Sequence, residues 1–161
     1  MFDIILFSPQ IPPNTGNIIR LSANCGARLN LIRPLGFALD AKSCRRAGLD
    51  YHALSDVNIH NDLDACISYL GSPRLFAITT KSKNSFYETT FQPGDAFLFG
   101  SETAGLPQEI HARFDEARRL RLPMIAGNRS LNLANAVSIV VYEAWRQTGF
   151  TGAKPGSTGR L

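Results

Sequence analysis

The chain has 161 residues, 44% of them hydrophobic, and a formal net charge of +4. That is the size of one ordinary domain with enough apolar material for a real core. It carries neither a charged-then-apolar leader nor an apolar run of about eighteen residues, so neither secretion nor membrane insertion is expected and a cytoplasmic protein is. Arg outnumbers Lys thirteen to four. A guanidinium grips phosphate bidentately where an ammonium acts as a point charge, which favours nucleic acid or a phosphorylated ligand over an ordinary ion-paired surface. Cys25, Cys44 and Cys66 have no CxxC spacing and no neighbouring histidines to complete a zinc set, so buried thiols and no metal are expected.

In chain order, Phe2 to Phe7 is an apolar run broken by Ser8-Pro9, which predicts a first strand buried on both faces. In IPPNTGNIIRLSANCG the two prolines forbid helix at first. Asn14 or Thr15 can cap, Ile18, Leu21 and Cys25 share a face, and Gly26 closes the helix. Asn17 and Arg20, three apart, point the same way near its N-terminal end, where a phosphate or ribose would meet free N–H groups. A salt bridge to a surface acid is the plainer role for Arg20. A strand at Leu29 to Ile32 precedes a short helix from Asp40 to Gly48, where Arg45 and Arg46 beside Lys42 make the densest basic cluster, read as an RNA-backbone contact.

Further on, a weak strand around Val57 to Ile59, a helix from Asp62 to Leu70 and a buried strand from Leu75 to Thr79 follow. Ala96 to Phe99 is the next strand and runs into GSETAGLP, whose two glycines, two hydroxyls and acid suggest close backbone approach to a ligand. Neither a Walker loop nor GxGxxG is present. Pro107 starts a helix, and Arg118, Arg119 and Arg121 surround a last short strand that ends over Leu120 to Leu122.

The polar loop PMIAGNRSLN then gives way abruptly to an almost wholly apolar helix ending near Arg146, with Ser130 or Asn132 as its cap. Apolar residues from Leu133 to Trp145 cover more than one face, so this helix wants burial on nearly all sides and fits a core helix shared with a subunit interface. Residues 1–150 read as one domain and residues 151–161 as a loose polar tail. The order of elements predicts an α/β domain with a mostly parallel sheet, and the three specialised loops all follow strands.

Taken together, IPPNTGNIIR, RRAGLDYH, GSETAGLP and the helix ending VVYEAWRQ resemble the motifs of the SPOUT superfamily of RNA methyltransferases. The likeness is strongest to its small tRNA (cytidine/uridine) 2′-O-methyltransferases of the wobble nucleotide. That resemblance implies an α/β sheet whose C-terminal segment forms a trefoil knot, an exception to the rule against knots. It implies S-adenosylmethionine as cofactor, held by Ile78, Thr79, Gly100, Glu102, Leu122, Ile125, Ser130 and Leu131. It also implies Arg20 at the catalytic position with Asn17 and Asn132 nearby, and a homodimer through Tyr142 and Trp145. The tRNA anticodon stem-loop would meet Arg45, Arg46, Arg118, Arg119 and Arg121, with neither metal nor membrane involved.

Methyl transfer to a ribose hydroxyl needs oxygen, methyl and sulfur in line and a route for the hydroxyl proton. A guanidinium is always protonated and has no acceptor, so Arg20 reads better as orienting phosphate and ribose than as the base. The competing readings are a methyltransferase of another tRNA position or of rRNA, a binding module without turnover, and a nucleotide-dependent oxidoreductase. The last lacks its glycine fingerprint.

Overall fold

The computed structural model describes residues 1–38 and 57–154. Six strands, β1 (Asp3–Phe7), β2 (Arg28–Ile32), β3 (Val57–His60), β4 (Leu75–Ile78), β5 (Ala96–Phe99) and β6 (Arg119–Leu120), form one sheet in the order β3-β2-β1-β5-β4-β6. Every pairing is parallel, as the run of strands and crossovers predicts. The helix expected over residues 40–48, with Arg45 and Arg46, lies outside the described residues.

Strand β1 explains why its sequence is apolar without alternation. Ile4 and Leu6 enter the core on one face of the sheet, and Ile5 enters the core on the other. The first face is covered by α1 (Pro12–Cys25) and α4 (Leu133–Gln147), and the second by α2 (Leu63–Tyr69) and α3 (Gln108–His111). A cluster of Phe76, Phe86, Phe91 and Phe97 packs the first core, with the Phe86 and Phe91 rings stacked at 4.7 Å.

The two prolines do not delay α1, as had been expected. They occupy its first two positions, where a missing N–H costs nothing, and Ile11 is the N-cap with no side chain of its own closing the end. Neither Asn14 nor Thr15 serves as the local cap; both are buried. Gly26 ends the helix in the left-handed conformation at φ 69°, as its position predicts. Helix α2 is capped by the Asp62 carboxylate, which accepts from Ala65 N–H at 2.8 Å.

Helix α4 is capped by Asn132 and not by Ser130: the Asn132 Oδ1 accepts from the N–H groups of Ala134 and Asn135 at 2.9 and 3.3 Å. It buries Leu133, Ala134, Val137, Val140, Val141 and Ala144 in the core it shares with α1. Ile139 and Tyr142 remain outside, so within one chain the helix is buried on one side only. Trp145 is satisfied locally, edge-on to Tyr142 and Phe150, with its indole N–H donating to the Thr151 carbonyl at 3.0 Å.

The last strand also ends earlier than the sequence suggests, at Leu120. Arg121 leaves it, donating its N–H to the Asn84 carbonyl at 2.8 Å and accepting from Phe86 N–H at 2.9 Å. At the N-terminal edge of the sheet two bidentate clamps hold buried carboxylates: Arg28 on Asp3 at 2.7 and 2.8 Å, and Arg74 on Asp95 at 2.7 and 2.5 Å. The opposite, C-terminal edge carries the loops.

Candidate active site

Because all six strands run the same way, the segments after β1, β4, β5 and β6 gather at one edge, where parallel sheets place their ligands. They enclose a cavity of about 540 Å³. Its apolar wall includes Ile78, Leu122 and Leu131, and its polar wall includes Thr79, Glu102 and Ser130, with Gly100 between them. Asn132 lines it as well. Ile125, read from the sequence as a cofactor contact, does not line it and is 82% exposed.

Gly100 is required for a local reason. A β-carbon at this position would run into the backbone of Gly105 and Leu106, which folds back so that Ser101 and Gly105 exchange backbone hydrogen bonds at 2.9 and 3.2 Å. That tight loop aims Glu102 at the open end of α1. Its carboxylate accepts from the N–H groups of Gln10 at 2.8 Å and Ile11 at 3.2 Å, and from the Asn14 amide at 3.0 Å. A residue of the β5 loop thus supplies the charge that the start of α1 lacks locally.

The network continues in one direction only. An ionised carboxylate can only accept, so the Asn14 NH₂ faces Glu102 and its carbonyl faces Asn132, whose NH₂ donates to it at 3.0 Å. The carbonyl of Asn132 is then left to cap α4. Glu102, Asn14 and Asn132 therefore tie the three loops together through bonds that fix one another's orientation.

Of the residues expected near the reaction, Asn132 joins this network, whereas Asn17 and Arg20 lie exposed on α1 and do not line the cavity. Asn14 was legible only as a capping candidate; its spacing of three from Asn17 disguised which of the two turns inward. Lys81, His111 and Arg129 also line the cavity and were not singled out. His111 comes from a four-residue helix too short to carry a periodic signal.

Among the basic residues read as RNA contacts, Arg118 holds its guanidinium carbon 5.1 Å from the Phe76 ring centroid. Arg119 is half-buried, with its Nε enclosed and unpartnered among the described residues, and Arg121 is exposed. Of the described cysteines, Cys66 is buried, as expected, and Cys25 is half-buried. Burial pushes the Cys66 thiol up to about 12 and also raises Cys25, so both stay protonated. His60 is held by Asn30, its Nε2 lying 3.1 Å from Oδ1. Among the described residues no group of His, Cys, Asp and Glu could hold a metal ion, and no helix is long and apolar enough to cross a membrane.

The donor set can be tested against a cofactor. A cavity of about 540 Å³ is of the size that takes nucleoside-sized ligands, roughly 300–1,000 Å³. Apolar side chains suited to a flat base sit beside hydroxyls and open backbone suited to a ribose and an amino-acid tail, which fits S-adenosylmethionine. A parallel sheet with such a cavity at its loop edge is an α/β fold suited to a nucleoside-type ligand, and the chain belongs to the SpoU rRNA Methylase family, whose model matches residues 1–142.

More particularly, the chain is similar to the tRNA (cytidine(34)-2'-O)-methyltransferase of Methylovorus glucosotrophus (strain SIP3-4), with 54% identity over 95% of this chain and 99% of that one. A solved structure concerned with the 2-OH methylation of C/U34 on tRNA superposes with a TM-score of 0.83 at 44% identity, covering 92% of this chain and 97% of the other. An AdoMet-bound rRNA methyltransferase from Sinorhizobium meliloti gives a TM-score of 0.76 at 25% identity, over 90% of this chain and 56% of that one.

Proposed function

We propose that this protein methylates the ribose 2′-hydroxyl of the wobble pyrimidine, cytidine or uridine, in the tRNA anticodon loop, using S-adenosylmethionine. The observation that carries the reading is near-full-length similarity, 54% identity with 99% of the relative covered, to a protein named for that reaction. A cavity of fitting size at the loop edge of the sheet supports it.

S-adenosylmethionine, when bound, supplies a methyl group activated on a sulfonium. The chain's own residues do the rest. Ile78, Leu122 and Leu131 offer an apolar slot for the adenine, and Thr79, Gly100 and Ser130 offer hydroxyls and backbone for its polar groups. The Glu102–Asn14–Asn132 network holds the loops in place, so that the approach of the 2′-oxygen costs no rearrangement. Arg20 orients the phosphate and ribose of the target nucleotide, and the hydroxyl proton leaves to a phosphate oxygen or water, because a guanidinium has no lone pair to accept it.

The same reading includes a trefoil knot, for which the passage of residues 121–132 past the 84–86 turn and on to Asn14 is the supporting feature. It includes one domain over residues 1–150, a cytoplasmic location, no metal, and RNA contacts by Arg118, Arg119, Arg121 and the Arg45–Arg46 pair. It also includes a homodimer, supported by Ile139 and Tyr142, which stand 37% and 45% exposed on an otherwise buried helix.

The test is incubation of the purified protein with radiolabelled S-adenosylmethionine and tRNA from a strain lacking this activity, followed by nuclease digestion and mass spectrometry. Label on the ribose of nucleotide 34 is expected. Label on another tRNA position or on rRNA would keep the reaction and discard the substrate, and binding without label would leave a binding module.

A further inference from the structure

Several buried titratable groups lie outside the network already described. Asp3 and Asp95 are consumed by arginine clamps, Cys66 is sealed in the core, and His60 is held by Asn30 and does not line the cavity. His111 differs: it is 4% exposed and lies on the cavity wall. Its Nε2 is 3.4 Å from the Thr79 hydroxyl, which also accepts the Lys81 backbone N–H at 3.2 Å. Thr79 and Lys81 line the cavity too.

A threonine hydroxyl has one proton and two lone pairs. With one lone pair taken by the Lys81 amide, the direction of the bond to His111 decides what the cavity meets. If Nε2 accepts, the hydroxyl proton points at the imidazole and the remaining lone pair is free for a donor. If Nε2 carries a proton, the imidazole takes that lone pair and the hydroxyl proton is turned elsewhere. We propose that His111 is a positioning residue of the cofactor site: as a neutral imidazole accepting at Nε2, it orients the Thr79 hydroxyl so that the cavity presents an acceptor to a hydroxyl or ammonium group of S-adenosylmethionine. The inference rests on the assignment of this cavity to the cofactor.

The surroundings favour the neutral imidazole that this role requires. Burial lowers the His111 pKa first, and the positive charges of Lys81, beyond β4, and Arg119, on β6, lower it further. The other charged groups on the cavity wall are Glu102, occupied by the start of α1, and Arg129. On its own short helix the acid is Glu109. Lowering the pH charges the imidazole and reverses its bond to Thr79.

The test is calorimetric titration of the full chain with S-adenosylmethionine between about pH 8 and pH 5.5, with thermal melting of each variant as a check on folding. Wild type is expected to lose about fivefold in affinity across that range, the equivalent of one ordinary hydrogen bond. His111→Leu should bind about fivefold more weakly at pH 8 and with no dependence on imidazole protonation. His111→Gln, whose carbonyl can still accept from Thr79, should keep near-wild-type affinity at pH 8 and be equally flat. If His111→Leu and His111→Gln both keep the wild-type affinity and pH profile, the role is overturned. Leu131→Arg, at an exposed position on the cavity wall, separates the two readings. It should abolish binding, and if it binds as wild type does, the cavity is not the cofactor site and the proposal falls with that assignment.

Discussion

Glu102 carries three hydrogen bonds that no neutral side chain of the same shape can reproduce. Glu102→Gln replaces one accepting oxygen with a donor that would face either the N–H of Gln10, or the N–H of Ile11 together with the amide of Asn14. Since hydrogen bonds to a charged group are worth about 1.5–3 kcal/mol, methyl transfer should fall by about tenfold or more, measured by single-turnover assays with tRNA. Arg20→Lys belongs to the same scale. It keeps the charge and loses the planar fork, so methylation should fall strongly while cofactor affinity, read by calorimetry, stays unchanged. Activity near wild type would remove Arg20 from the reaction. His60 makes a prediction about pH. Burial lowers its pKa from 6.5, so the unfolded chain takes up a proton first as pH falls, and stability must decline below about pH 6.5. Thermal midpoints between about pH 7.5 and pH 5 should drop, and His60→Gln should flatten part of that drop.

At the scale of elements, the two ends of the sheet have separate duties. The N-terminal edge is held by Arg28 on Asp3 and Arg74 on Asp95. Arg28→Ala leaves the buried Asp3 carboxylate without its partner and should cost about 1–3 kcal/mol in urea unfolding while leaving turnover per folded molecule intact. Asn132→Ala acts at the other edge, removing the α4 cap and the bond to Asn14. It should cost about 1–2 kcal/mol and also reduce turnover. The strands were legible in the sequence because both faces of this sheet are covered, so they read as short apolar runs bounded by Pro, Gly or polar turns. The start of α2 was placed at Asp62, which proves to be its cap, and the end of α1 was legible from Gly26. Its start was misjudged because prolines were read as excluding helix when they occupy its first turn. The cap of α1 was not legible at all, since Glu102 comes from 91 residues away in the bond to Ile11. His111 meets Thr79 across 32 residues and only through tertiary packing, so no local pattern announces it.

For the whole molecule, the feature that one chain does not satisfy is the outer side of α4. Its inner side is spent on α1 and the sheet, while Ile139 and Tyr142 face outward one helical turn apart. Ile139→Arg should convert a dimer into monomers in sedimentation velocity while preserving the helical circular dichroism signal. A wild-type protein sedimenting as a monomer would remove the dimer from the proposed function. The sequence already hinted at this surface, since the apolar residues of α4 exceed what one face can bury. It assigned Trp145 to the interface too, and that half-buried ring packs edge-on to Tyr142 beside the same surface.

The remote capping of α1 also has a consequence in time. The amides at the start of this helix emerge early in synthesis and wait for a carboxylate 92 residues later in the bond to Gln10, and Asn14 waits 118 residues for Asn132. At ribosomal speeds of about 5–20 residues per second, the first of those intervals lasts roughly 5 to 18 seconds. Throughout it the β1–α1 segment lacks both partners, so an interrupted translation product cannot hold its loops in the working arrangement. The three loops at the ligand edge of the sheet can therefore be tied to one another only after synthesis has passed Asn132.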